Sequence, residues 1–318
     1  MTTAPSARPT GSDRRETPTP APVLAELAAG VYAHVQPDGG WCLNNAGIVV
    51  SEGETLVVDT AATERRTALL RDSIAQVAPG EPGLLVNTHH HSDHTFGNVL
   101  FDPRTVVVAH RETRVQAELA GLGLQGLFPQ VEWGAVGVRL PALTYRDALT
   151  LHVGGLRVEL FHPGPAHTTN DTVVWLPERR VLFAGDLVMS GVTPYVLMGS
   201  VAGSLAALER LAALRPEVVV PGHGPVGGPE LIERNIAYLR WVQGLAVEAA
   251  EAGLTALAAA REASAGPFAG LLDAERLVSN LHRAAAELAG AAPGAPIDVL
   301  ASFREMVEHL GGLPACHA

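Results

Sequence analysis

The chain contains no lysine: all 22 of its basic side chains are arginine, set against 33 acidic ones for a formal net charge of -11. That balance excludes a nucleic-acid-binding surface, because neutralising phosphates takes clustered cations. Cysteine is almost missing. Cys42 and Cys316 are the only two, too few and too widely spaced to suggest a disulfide framework, and a reducing, cytoplasmic setting follows. Long apolar runs are lacking as well. Leu254–Ala260 is among the longest, far short of the roughly 20 residues of a membrane span. The pair Arg14-Arg15 is followed by Glu16-Thr17-Pro18-Thr19-Pro20, where an export signal would need a continuous apolar region.

What is present is ample apolar material: 47% of 318 residues, enough for one large domain or a core with an appendage. Residues 1–22, rich in Pro, Thr, Ser and Ala, are expected to be a disordered tail. Val31–Gln36, Ala46–Val50 and Thr55–Asp59 read as strands separated by glycine turns. Ala61–Val77 has helical spacing, and Leu84–Asn87 is a short buried strand. Val106–Ala109 is another strand, followed by a helix from Arg111 to Leu119. Four more strands are expected at Ala148–Val153, Leu156–Phe161, Asp171–Leu176 and Arg180–Ala184, then a helix over Val201–Leu214 and a strand at Val218–Val220. Everything from Pro229 to Gly311 reads as helical, broken near Gly253, Gly266 and Pro293–Pro296. Frequent hairpins favour a two-sheet sandwich flanked by helices over a doubly wound parallel sheet. No phosphate-loop or dinucleotide glycine motif stands at a strand–helix junction.

The chemistry concentrates in Asn87-Thr88-His89-His90-His91-Ser92-Asp93-His94. Four imidazoles and a carboxylate directly after a strand converge on a small volume, and both are donors that zinc prefers. His89 and His91 share one side of an extended backbone, which turns His90 away. One catalytic zinc needs three protein ligands and two zincs need more, so further donors are sought at later strand ends. His167, Asp186 and His223 each follow a strand at a Gly or Pro turn. His34, His110, His152, His162, His282 and His309 lack such settings and read as structural or surface residues. Asp59 ends a strand, either as a turn cap or as a hydrogen-bond partner of a ligand histidine.

The pattern His89-x-His91-x-Asp93-His94, with His167, Asp186 and His223 behind it, resembles the metallo-β-lactamase superfamily. The resemblance implies an αββα sandwich at residues 23–228, with a C-terminal helical extension at residues 229–318 packed on it. It implies two Zn2+ per chain, one held by His89, His91 and His167, the other by Asp93, His94 and His223, with Asp186 bridging and Asp93 also catalytic. Zinc β-lactamases usually carry cysteine or serine at the position of Asp186, so the aspartate points to the hydrolase branch rather than to antibiotic hydrolysis. His91 stands where the flavodiiron branch usually has Glu, which favours zinc over iron.

A closer resemblance lies in the segments Gln36–Asn45, Pro194–Ser204 and Tyr238–Trp241. They are similar to second-ring cyclase/thioesterases of aromatic polyketide biosynthesis, of the actinorhodin-pathway type. That implies second-ring aldol closure and dehydration of a polyketide thioester, with release from an acyl carrier protein, and a homodimer. Arg65, Arg66, Arg111 and Arg114 are candidates for carrier docking, or simply solvated helix faces. Phe128 and Trp133, in the irregular stretch 121–146, and Tyr195 and Met198 are candidate substrate-binding residues, with ordinary core packing as the alternative. The stretch itself is a lid or a loop laid on the core. The rival activity is a stand-alone zinc hydrolase of thioesters or lactones, resembling glyoxalase II or lactonases. The arginines Arg240, Arg261, Arg276 and Arg283 look scattered rather than gathered for glutathione.

Overall fold

Short β-branched runs punctuated by glycine turns form strands, and these strands build two sheets. The structure is a computed structural model describing residues 20–78, 80–263 and 266–318; residues 1–19 of the expected tail lie outside the described residues. Strands β1 (Val23–Ala28), β2 (Val31–Val35), β3 (Ala46–Ser51) and β4 (Glu54–Val58) make an antiparallel meander. β5 (Leu84–Val86), β6 (Val106–His110) and β7 (Leu143–Tyr145) extend it in parallel to seven strands in chain order. Parallel neighbours require crossovers. Helix α1 (Glu64–Val77) supplies the first, and α2 (Ser92–Thr95) with a 3₁₀ turn (Phe96–Leu100) the second. The third carries α3 (Arg111–Ala120) and α4 (Leu124–Leu127).

The second sheet holds β8 (Ala148–Val153), β9 (Leu156–Phe161), β10 (Val173–Leu176), β11 (Val181–Met189) and β12 (Val218–His223), in the order β12-β11-β10-β9-β8. β11 and β12 are parallel, and α5 (Val201–Ala213) lies between them in the chain. The inner faces meet through Val31, Val49, Leu56 and Val86 from one sheet and Val158, Leu160, Val174 and Phe183 from the other. Leu70 and Ile74 of α1 cover the outer face of the first sheet against Ile48, Val57 and Leu85. The second sheet is covered by α5 and α6 (Glu230–Ala252), with Leu208, Leu211, Leu239 and Val242 on Leu182 and Val219. The architecture is therefore α/β, an αββα sandwich with a C-terminal helical region, as the resemblance implies.

That region continues as α7 (Ala256–Ala263), α8 (Arg276–Leu288) and α9 (Val299–Leu310). Gly253 ends α6 with a left-handed φ of 69°, a conformation that costs glycine little. Leu277, Val278 and Leu281 of α8 join the same apolar cluster as β11 and α6. Among the described residues no helix is long and apolar enough to cross a membrane.

Four expectations needed correction. β1 is a half-exposed edge strand, and its flanking Pro-rich sequence hid it. α1 starts at Glu64 because the Thr63 side chain accepts the Arg66 N–H as an N-cap. Residues 121–146 contain α4 and β7 rather than a wholly irregular path. β11 runs on through Met189, so Asp186 sits inside a strand and not after one.

Candidate metal centre

The histidine cluster is held in shape by buried amides and hydroxyls. Beyond the end of β5, the Asn87 side chain donates to the His94 carbonyl at 3.0 Å, and Thr60 Oγ1 donates to the same oxygen at 3.1 Å. Asn98 Nδ2 donates to Asn87 Oδ1 at 2.8 Å and ties the 3₁₀ turn to the strand end. These bonds seat the single turn of α2, which aims Asp93 and His94 at the sandwich rim. At the far side, Asn45 Nδ2 donates to the carbonyls of Pro221 (2.9 Å) and Gly224 (2.7 Å) and frames His223. Asp186 is turned inward where Gly185 takes a φ of 53° and the β11–β12 register shifts.

All seven sequence-chosen donors meet there, as His89, His91, His167 and Asp186 in one group and Asp93, His94 and His223 in the other. Within each group the donor atoms lie within 4.8 Å of one another. Asp186 faces both: its Oδ2 is 3.5 Å from His167 Nε2 and 3.6 Å from His223 Nε2, and its Oδ1 is 3.2 Å from His94 Nε2. Asp93 Oδ2 stands 3.2 Å from His223 Nε2. The Nε2 atoms of His89, His91 and His94 and Oδ1 of Asp186 are buried with no hydrogen-bond partner. Orphaned lone pairs converging in this way are what a metal ion satisfies, so the residues fit such a group.

The outward nitrogens are spoken for. His94 Nδ1 is 2.8 Å from Asp59 Oδ2, His223 Nδ1 donates to the Gly39 carbonyl at 3.0 Å, and His167 Nδ1 donates to the Tyr195 carbonyl. Outward hydrogen bonds of this kind fix ring orientation and direct Nε2 inward. Asp59 also accepts from Thr88 N (2.7 Å) and Thr88 Oγ1 (2.6 Å), so it fills both roles considered for it. Burial, reinforced by neighbouring imidazoles, holds His89 and His91 well below the ordinary histidine range. Burial works the same way on His94, but Asp186, Asp59 and Asp93 together raise it. For Asp93 and Asp186 burial opposes ionisation, and the surrounding histidines overcome it and keep both carboxyls low. Ionised carboxylates and inward imidazoles are the forms that bind cations.

A cavity of about 320 Å³ opens over this cluster. Phe128, Tyr195 and Met198 line it, together with Trp41, Leu124 and Phe303. Trp133 does not line it. Its ring turns to Phe96, 5.9 Å away, and its carbonyl accepts the Glu64 N–H, which pins it to the start of α1. Tyr195 meets the cavity as a neutral phenol, since burial lifts it to about 12. His90 also borders the cavity, but its Nδ1 is engaged by Asn170 at 3.0 Å.

Three features escaped the sequence reading. The two cysteines, distant in sequence, come together in one apolar cluster beside the cavity. Arg66 is buried and donates to the His317 carbonyl at 2.6 Å, which removes it from any docking surface. Arg276, which looked scattered, lines the cavity. No local pattern marks it, because only the packing of α8 brings it there.

The profile described as the Metallo-beta-lactamase superfamily matches residues 39–223, more than half of the chain. A metallo-beta-lactamase type 2 from Bacteroides fragilis is 26% identical over 221 residues, covering 67% of this chain and 83% of the relative. The acyl-coenzyme A thioesterase MBLAC2 of Bos taurus is 27% identical over 215 residues, covering 60% and 76%. The crystal structure of the DIM-1 metallo-beta-lactamase superposes with a TM-score of 0.55 at 23% identity, covering 70% of this chain and 99% of the other, a likeness of fold. The chain belongs to the metallo-β-lactamase superfamily of metallo-hydrolases.

Proposed function

We propose that the protein is a dinuclear zinc hydrolase of bulky apolar thioesters, and within that class an aromatic-polyketide cyclase and thioesterase. The observation that carries this reading is a single cavity with two kinds of wall. One is the metal-binding set; the other is built from Trp41, Phe128, Tyr195 and Met198, closed by Val299, Leu300 and Phe303 of α9. α9 lies beyond the family-matched residues 39–223, so that part of the wall comes from outside the matched domain. Flat apolar acyl groups suit such a lining. Similarity to an acyl-coenzyme A thioesterase supports the thioester bond as the one cleaved.

His89, His91 and His167 would hold one ion and Asp93, His94 and His223 the other, with Asp186 between them. When bound, such ions supply Lewis acidity toward an acyl oxygen and make water more acidic. Asp93, with 13% of its side chain exposed, opens on the cavity. For ring closure its carboxylate withdraws a proton from a carbon beside a carbonyl. That carbon attacks a second carbonyl folded against it, and loss of water completes the ring. For release, the same carboxylate takes a proton from the attacking water and passes it to the departing sulfur as the C–S bond breaks, leaving acid and thiol. The apolar wall holds the chain folded and excludes bulk water. In the cell the thioester would be presented on an acyl carrier protein.

The test is mass spectrometry of the zinc-loaded protein acting on the N-acetylcysteamine thioester of a one-ring aromatic polyketide mimic. A dehydrated two-ring acid with free thiol, absent with Asp93→Ala, is the expected result. Free uncyclised acid alone would leave a stand-alone thioester hydrolase, and an unchanged substrate would overturn both.

A further inference from the structure

Arg276, near the start of α8, is only 2% exposed and yet lines the cavity. It is the only arginine among the described lining residues. Its Cζ stands 4.1 Å over the Trp41 ring, a stacking geometry that also fixes the plane of the guanidinium. Nη1 donates to the Thr193 carbonyl at 3.1 Å, and Nη2 pairs with Asp273 Oδ2 at 2.8 Å. The Nε–H has no hydrogen-bond partner. A buried guanidinium N–H without an acceptor is costly, and native proteins rarely leave one without a use. Trp41 is held in turn, its Nε1 donating to Glu275 Oε1 at 2.7 Å. Away from the metal-binding residues the neighbouring wall is apolar: Leu124, Leu127, Phe128 and Phe303.

We infer that Arg276 and Trp41 form a second subsite, which binds a carbonyl, enol or phenol oxygen carried on the apolar part of the ligand. Trp41 and the leucines take the ring face, and a small rotation of Arg276 brings its Nε–H, closed to solvent in the ligand-free packing, to the oxygen. Asp273 balances the arginine charge, so a neutral oxygen suits the subsite better than a full carboxylate. This rests on the reading above for its cavity and adds to it a requirement: a substrate oxygenated at a position remote from the thioester. An unfunctionalised fatty acyl chain would leave the Nε–H unpaired.

The test is equilibrium binding to the zinc-loaded full chain, using 2-naphthol and its oxygen-free counterpart 2-methylnaphthalene. In Arg276→Met the affinity ratio of naphthol to methylnaphthalene falls roughly tenfold or more, the size expected for losing a hydrogen bond to a charged donor. An unchanged ratio in a variant with wild-type melting temperature overturns the proposal. Should that variant fail to fold, a crystal structure of the wild-type naphthol complex decides. The oxygen within about 3.2 Å of Nε supports the subsite, and an oxygen at the metal-binding residues or in solvent overturns it. Binding needs no turnover, so failure of thioester hydrolysis and failure of this subsite are read separately.

Discussion

Asp59 serves two partners with one carboxylate: the Thr88 turn and the outward nitrogen of His94. Its φ of 63° lies in the left-handed region, which asparagine also tolerates. Asp59→Asn therefore keeps the turn and removes the charge behind His94. Metal affinity should drop about 10–100-fold, the usual effect of losing such a partner, as read by chelator competition with unchanged circular dichroism. The cysteine pair makes a second prediction at this scale. The neighbouring Cys316 and burial push the Cys42 thiol up, while Cys42 beside it brings Cys316 down. Since the thiolate is the reactive form, iodoacetamide should label Cys316 before Cys42 in the native protein. Peptide mass spectrometry that finds Cys42 labelled first would contradict the assignment.

At the scale of elements, the strand ends act as brackets for the donors. A Cβ on Gly222 of β12 would stand 1.9 Å from Asp186 Oδ1. Gly222→Ala must displace that carboxylate, and the bound metal should fall below the wild-type content in elemental analysis while the fold persists. The sequence Pro221-Gly222-His223 marks a turn carrying a histidine, but not why the glycine is needed. That reason comes from β11 running alongside. α9 shows the same limit: its amphipathic spacing predicts a helix, whereas its place as a cavity wall follows from how α8 and α9 pack. Phe303→Ala should raise KM for a two-ring aromatic thioester roughly tenfold, given the worth of a buried phenyl contact, and leave metal content alone.

Across the whole molecule, stability should weaken in mild acid. Burial, helped by the charge of Arg66, lowers His34 to about 4, and burial also lowers His110 to about 4. The unfolded chain takes up protons as pH falls through about 6.5, while the folded chain refuses them until about 4. The folded state therefore loses ground across that window and is unaffected above it. For His34 alone the loss approaches ~3 kcal/mol at most. Denaturant melts from pH 7 to 4 should show the decline, and His34→Gln, which can still reach Ser73, should show less of it.

The sequence by itself determined the set of metal-binding donors and most of the elements. Periodicity and turn residues are local signals, and the donors in residues 89–94 are contiguous, so their convergence needs no long-range information. His167 and His223 were legible beside Gly or Pro turns that follow or close strands, and Asp186 through Gly185, although β11 runs on past it to Met189. The tertiary structure alone decided what surrounds them. It turned Trp133 away toward Phe96, buried Arg66, brought Cys42 beside Cys316, and brought Arg276 and α9 to the cavity. Those placements depend on how distant helices pack, through contacts between residues far apart in the chain, which no spacing along the sequence encodes.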